Sequence, residues 1–154
     1  MKQEDKKLLL RDLCARSPYN VKCNVWYGPK SPALNEKDKY TDDILETIDP
    51  KKGSCTFHNA IGYDFGVFPV EHVKPYLRPM SSMTEEERNE WASGSAKLTL
   101  DIFKKKISDE MDIPDASDSA FSIDWLNAHH FDYRGLIEKG LALEAPEGMY
   151  NITK

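Results

Sequence analysis

Cysteine is scarce in this sequence, and its spacing argues against pairing. Cys14, Cys23 and Cys55 are odd in number and far apart along 154 residues, a usage that suits reduced thiols in a cytosolic protein better than a disulfide framework. Long apolar runs are missing too. Leu8–Leu10 is followed at once by Arg11 and Asp12, whereas a secretory signal needs about 7–15 apolar residues and a membrane helix roughly 18. The expectation is a cytoplasmic chain that does not span a membrane. There is no excess of basic charge: the net charge is −5, and residues 84–130 hold 5 basic against 11 acidic groups. Nucleic-acid binding draws most of its affinity from phosphate neutralisation, so that class is disfavoured. Phosphate-cradling loops are also lacking, since Gly53, Gly62 and Gly66 precede no helix in GxGxxG or Walker spacing. No Gly-x-Ser-x-Gly elbow occurs, and no cofactor is expected.

What is present is a division between the two halves of the chain. In residues 3–15, Leu9, Leu10, Leu13 and Cys14 fall at helical spacing, with Glu4 and Asp5 early and Arg16 late, in the sense the helix dipole favours. Ser17-Pro18 stops that helix. Val21, Cys23, Val25 and Tyr27 alternate with polar neighbours as a half-buried strand does. The polar segment Asn35–Asp43 reads as an exposed loop. Asp49-Pro50-Lys51-Lys52-Gly53 reads as a turn joining a hairpin of 43–48 and 54–61, with a helix over 42–48 the competing assignment. Phe65–Val70 gives another extended piece, and His72–Leu77 leads through a tight turn to a proline-framed exit.

The second half is helical in pattern. Thr84 and Glu87 form a capping box for a helix beginning at Glu85, which carries Trp91 and then breaks near Gly94 or bends into an apolar face of Leu98, Ile102, Phe103 and Ile107. Asp112–Ser119 reads as a linker-like loop. Two short helices are expected at Ile123–His130 and Tyr133–Lys139, the second capped by Asp132 and ended by Gly140. Leu141–Leu143 returns as an edge strand. Strands first and helices later is the α+β order. The expected architecture is a single domain over residues 1–154. Residues 1–80 supply a helix and a small curved antiparallel sheet, which packs against the C-terminal helices of residues 81–154.

Three stretches, LLLRDLCARSPYNVKC (Leu8–Cys23), VKPYLRPMSSMTEEE (Val73–Glu87) and the run from Ile123 to Tyr150, give the chain a likeness. It resembles a group of small uncharacterised proteins encoded by bacteriophages and integrated elements of gut Bacteroidetes. The resemblance implies a phage or prophage origin and transfers no catalytic or binding residue. Where the group's pattern has a Pro-Tyr-Gly turn, this chain has Asn20, which tolerates a left-handed backbone better than other non-glycine residues.

Candidate sites are few, and each has a plainer account beside it. Tyr76, Arg78, Tyr133 and Arg134 lie in the likeness-bearing segments and are of the residue types that dominate protein-binding hot spots; alternatively the tyrosines close the core and the arginines pair with acids. Cys55, His58, His72 and His129 are the alternative set for a ligand or metal pocket, but without CxxC or HxxxH spacing they give a weak zinc signal. On a strand, Cys55 and His58 would point to opposite faces. His129-His130 with Asp132 fits a capped helix better than a metal site. Trp26, Tyr27, Lys22 and Lys30 could stack on and neutralise single-stranded nucleic acid. Glu85–Glu87 and Lys104–Lys106 sit where a helix dipole favours them. The resulting expectation is a non-catalytic protein-binding or regulatory module, with an unknown host or phage protein as partner and inhibition of a host defence system as one form. The alternatives are a small-ligand binder or enzyme with a Cys/His pocket, and a nucleic-acid-binding module.

Overall fold

The computed structural model describes residues 1–27, 40–59, 66–93 and 116–150. Its sheet has six strands: β1 (Lys22–Trp26), β2 (Tyr40–Asp49), β3 (Ser54–Phe57), β4 (Val67–Pro69), β5 (Val73–Leu77) and β6 (Leu143–Glu144), in the spatial order β4-β3-β2-β1-β5-β6. All pairs are antiparallel except β5 with β6. The helices are α1 (Gln3–Arg16), α2 (Glu85–Ser93) and α3 (Ala116–Ala128). Together they make an α+β fold.

The alternation in β1 buries Val21, Cys23 and Val25 completely and turns Lys22, Asn24 and Trp26 to the opposite face. Onto the buried face α1 lays Leu9, Leu10 and Leu13, and Leu45, Cys55, Phe57, Phe68, Val73 and Leu77 continue the same apolar layer. Leu136, Leu141 and Ala142 close it from the C-terminal side. Helices α2 and α3 join through a second cluster of Met83, Trp125, Leu126 and Phe131, against which Trp91 and Tyr133 pack. Cys14, placed by periodicity among the core leucines, is exposed, because the stripe Leu9, Leu13 and Arg16 rotates it outward.

Several segments differ from the sequence expectation. The strand β2 begins at Tyr40 rather than Asp43. The polar residues there hid it: Asp43 is buried because its carboxylate accepts from the amides of Ile44 (2.8 Å) and Asn59 (2.7 Å). Its hairpin partner β3 ends at Phe57, so His58 lies beyond the strand. Residues 73–77 form an inner strand, not a turn, although it contains Pro75. Leu77 points its carbonyl at Ala145 on the β6 side (2.8 Å), so by the two-residue period Pro75 directs its ring nitrogen to that side too. There β6 has not yet begun, and no ladder bond is lost. Last, Tyr133–Lys139 is a series of turns, since Gly135 takes φ +73° where a helix would need a negative value. Asp132 still caps, but one turn later, accepting from Leu136 (2.8 Å) and Ile137 (2.9 Å). The helix expected from Ile123 starts earlier, at Ala116, within the expected 112–119 loop. The Leu98–Ile107 face, Lys104–Lys106 and Phe65 lie outside the described residues.

Other local signals hold. Asn20 adopts φ 55°, ψ 46°, the left-handed conformation expected of it. The capping box forms in both directions: Glu87 N–H donates to Thr84 Oγ1 (3.1 Å), and Thr84 N–H to Glu87 Oε2 (3.0 Å). In the β2–β3 turn Asp49 Oδ1 accepts from the amides of Lys51 and Lys52, and Gly53 N–H returns to the Asp49 carbonyl (2.8 Å). A register shift between Leu45 and Thr47 places a bulge that bends β2.

Gly53 has φ +67°, and a Cβ there would come within 2.9 Å of Lys6 Cε. The lysine stem can move aside, so backbone strain dominates. Gly53→Ala is expected to lower stability by about 1–2 kcal/mol, read as a shift of the urea midpoint; an unchanged midpoint would show the turn to be free of that constraint.

Candidate binding cleft

Arg78 stands where β5 leaves the sheet. Its backbone is fully engaged, its N–H donating to the His130 carbonyl and its carbonyl accepting from Asp132 N–H, both at 2.8 Å. Its guanidinium lies 4.2 Å from the Phe131 ring centre and grips Glu87 through two bonds of 2.7 and 2.8 Å. Glu87 is thus both the capping-box acid of α2 and the counterion of Arg78. Burial pushes its carboxyl up, but the bonds from Arg78 and the Thr84 amide outweigh that and hold it below the ordinary glutamate value. Arg78 is therefore internally committed.

Arg134 is committed in the same way. Asp12 and Arg16, four residues apart on α1, are both fully buried. Asp12 Oδ2 accepts from Arg16 Nε at 2.8 Å, and Asp12 Oδ1 accepts from Arg134 Nη1 at 2.7 Å. Arg16 Nη2 donates to the Phe131 carbonyl at 2.6 Å. Tyr133 lies near both cations, 5.5 Å from the Arg16 guanidinium and 4.6 Å from that of Arg134, and its hydroxyl donates to Asn127 Oδ1 (2.9 Å). Tyr76 projects from the other face of the sheet and donates to Asp42 (2.9 Å). Burial and that carboxylate raise its pKa to about 12. The four predicted contact residues thus divide between two faces and anchor the fold.

His130 and Tyr150 carry no sequence signal of their importance. Helix α3 ends in a Schellman arrangement: His130 N–H donates to the Asn127 carbonyl (3.1 Å) and Phe131 N–H to that of Leu126 (3.0 Å). His130 fills the left-handed position usually given to glycine, at φ 61°. Its ring is buried and stacks on Tyr150 at 3.8 Å. Burial, with Arg16, His129, Arg78 and Lys22 around it, lowers its pKa to about 3. Tyr150 in turn enters the β1–β5 ladder, its hydroxyl accepting from Lys22 N–H (3.0 Å) and donating to the Tyr76 carbonyl (2.8 Å). Lys22 Nζ donates to the Met149 carbonyl (3.2 Å). The strap Glu144–Tyr150 is thereby pinned at both ends, Ala145 N–H to Leu77 at one and Tyr150 at the other.

Between this strap and the exit of β5 lies a cleft of about 360 Å3. It is lined by Arg78, Pro79, Ser82 and Thr84 and, from the strap, by residues 144–148 and Tyr150. The cleft joins Val73–Glu87 to the C-terminal run. Glu144 and Glu147 are exposed on it.

The Cys/His set is not assembled. Cys55 is buried in β3, and burial, with a smaller effect from Cys14, pushes its thiol up to about 12. His58 is exposed, His72 packs on Trp26 at 4.6 Å, and His129 stacks on Trp125 at 3.8 Å with Nδ1 2.8 Å from the Trp125 carbonyl. Among the described residues no group of three or more His, Cys, Asp or Glu side chains is placed to hold a metal ion. Of the residues considered for nucleic acid, Trp26 is half-covered by His72, Tyr27 meets Phe68 at 5.7 Å, Lys22 is held by the strap and Lys30 lies outside the described residues.

Two outcomes follow from the buried charges. Asp12→Ala leaves Arg16 buried without its carboxylate and is expected to cost about 3–5 kcal/mol in urea unfolding; a loss under about 1 kcal/mol would mean that the pair is not buried in solution. His130 is neutral when folded, while the unfolded imidazole titrates near 6.5. Below that value the unfolded state binds the proton and the native state does not, so stability is full above pH 6.5 and falls toward pH 3. The slope approaches at most about 1.4 kcal/mol per pH unit. His130→Asn, which keeps a left-handed backbone accessible, should unfold with a visibly flatter pH dependence between pH 7 and 5; parallel profiles for the two proteins would place the imidazole in solvent.

Compared with protein-family models, curated proteins and solved structures, the chain finds no match.

Proposed function

We propose that this protein is a non-catalytic binding and regulatory module of a phage or mobile element, acting through protein contacts in the bacterial cytoplasm, with inhibition of a host defence system as one concrete form. The observation that carries this reading is the cleft. Two of the three stretches that carry the chain's likeness to phage-encoded proteins, Val73–Glu87 and Ile123–Tyr150, far apart in sequence, both line it. The chemistry around it favours recognition over catalysis. Cys55, the one nucleophile among the candidate residues, is buried with a raised thiol pKa, whereas a reactive cysteine needs a lowered one and access. His129 is stacked and bonded to its own helix, and Tyr76, Arg78, Tyr133 and Arg134 each hold another part of the fold. Of these four only Arg78 lines the cleft, the others holding the fold elsewhere, and the partner meets the cleft itself.

Ser82 is exposed and lines the cleft, so Ser82→Trp obstructs the cleft without touching the core. Affinity capture from a Bacteroidetes host lysate should recover one or more specific proteins with the wild type and lose them with Ser82→Trp, provided the variant melts as the wild type does. Equal recovery by both would exclude the cleft, and no specific recovery by the wild type would count against a protein partner.

A further inference from the structure

We infer that the cleft accepts a cationic side chain, arginine or lysine, presented by a basic segment of the partner; this rests on the reading of the protein as a binding module. Three charged residues line the cleft: Arg78, Glu144 and Glu147. Arg78 is neutralised by its two bonds to Glu87. Glu144 and Glu147 have neither an ion pair nor a side-chain hydrogen bond among the described residues, so the unbalanced charge on the cleft is negative. The N-terminus of α2 borders the cleft at Thr84 and would by itself favour an anion. That tendency is offset, because Glu87 N–H is capped by Thr84 Oγ1 and three glutamates fill the first turn.

The remaining lining suits a long amphipathic side chain. Pro79, Ala145 and Pro146 offer apolar surface to an aliphatic stem, as such stems use when their charged head reaches a polar rim. The volume, about 360 Å3, is near the lower end of the range for small-ligand pockets, roughly 300–1,000 Å3. The chain as a whole carries a net charge of −5, which steers a basic partner toward it.

The test is a titration of the isotope-labelled protein, followed by amide chemical shifts, with three short peptides: alternating glycine and arginine, the same peptide with citrulline for arginine, and the same with glutamate. Citrulline keeps the shape of arginine without its charge. The arginine peptide should move the amide signals of Ser82, Thr84 and residues 145–148 saturably, and the citrulline peptide should bind at least about tenfold more weakly. Glu144→Gln/Glu147→Gln, with an otherwise unchanged spectrum, should lose the response. Equal binding of arginine and citrulline peptides, shifts confined to other surfaces, persistence in the double variant, or no response would each overturn the inference. Capture of a host protein that depends on Ser82 but not on these two glutamates would overturn it while leaving the binding reading intact. A charge-dependent response to the peptide without any specific host protein would do the reverse.

Discussion

The Asp12 carboxylate is the point on which the two ends of the chain meet. It is buried in α1 and takes one guanidinium from its own helix, Arg16, and one from the C-terminal turns, Arg134. Replacing such a cluster with apolar residues of equal volume is often neutral, whereas removing one member is costly. Its distinctive contribution is therefore positional. Two arginines on one acid fix where the C-terminal turns sit on α1, and Arg16 extends the connection to the Phe131 carbonyl. Around that carbonyl the aromatic cluster of Trp125, Phe131 and Tyr133 assembles.

Phe131 lies at the crossing of several constraints. Its amide closes the α3 cap, its carbonyl receives Arg16, and its ring meets both Trp125 and the Arg78 guanidinium. The residue before it pays for this arrangement with a left-handed backbone, which for a non-glycine residue costs on the order of 1 kcal/mol. Stacking of His130 on Tyr150 holds that conformation. The adjacent histidines thus serve separate neighbours, His129 on Trp125 within α3 and His130 on the strap.

Features determined by near neighbours were legible in the sequence. The α1 stripe, the alternation of β1, the Asp49–Gly53 turn, the Thr84–Glu87 box and the left-handed Asn20 each depend on a few adjacent side chains. Features determined across the fold were not. Pro75 argues against an inner strand until one knows that its nitrogen faces the β6 side. Asp43 reads as loop until the Asn59 amide is found beside it. Arg78 and Arg134 stood out in the sequence, but their partners Glu87 and Asp12 lie 9 and 122 residues away. A hint did exist for Asp12 and Arg16: Leu9, Leu13 and Arg16 fall at i, i+4 and i+7, on the face a helix buries, and Asp12 stands one turn before Arg16. Nothing local marks Glu144 and Glu147 as the unbalanced charges of a cleft, since that depends on Arg78 being neutralised by α2.

The cleft follows from how the backbone divides at the end of β5. Leu77 gives its carbonyl to Ala145, and the next residue, Arg78, gives both backbone groups to His130 and Asp132. One residue therefore separates a strand that pairs with β6 from one that pairs with the cap of α3. The strap, having lost its partner after Ala145, must diverge, and Tyr150 brings it back by entering the ladder between Lys22 and Tyr76. A segment tied near both ends, and outside the ladder between them, leaves a gap beside the strand exit. The strap that carries Glu144 and Glu147 is held there by the bonds of Ala145 and Tyr150. The cleft is thus anchored to the same chain of contacts, through Arg78, Phe131 and Arg16, that ends at Asp12.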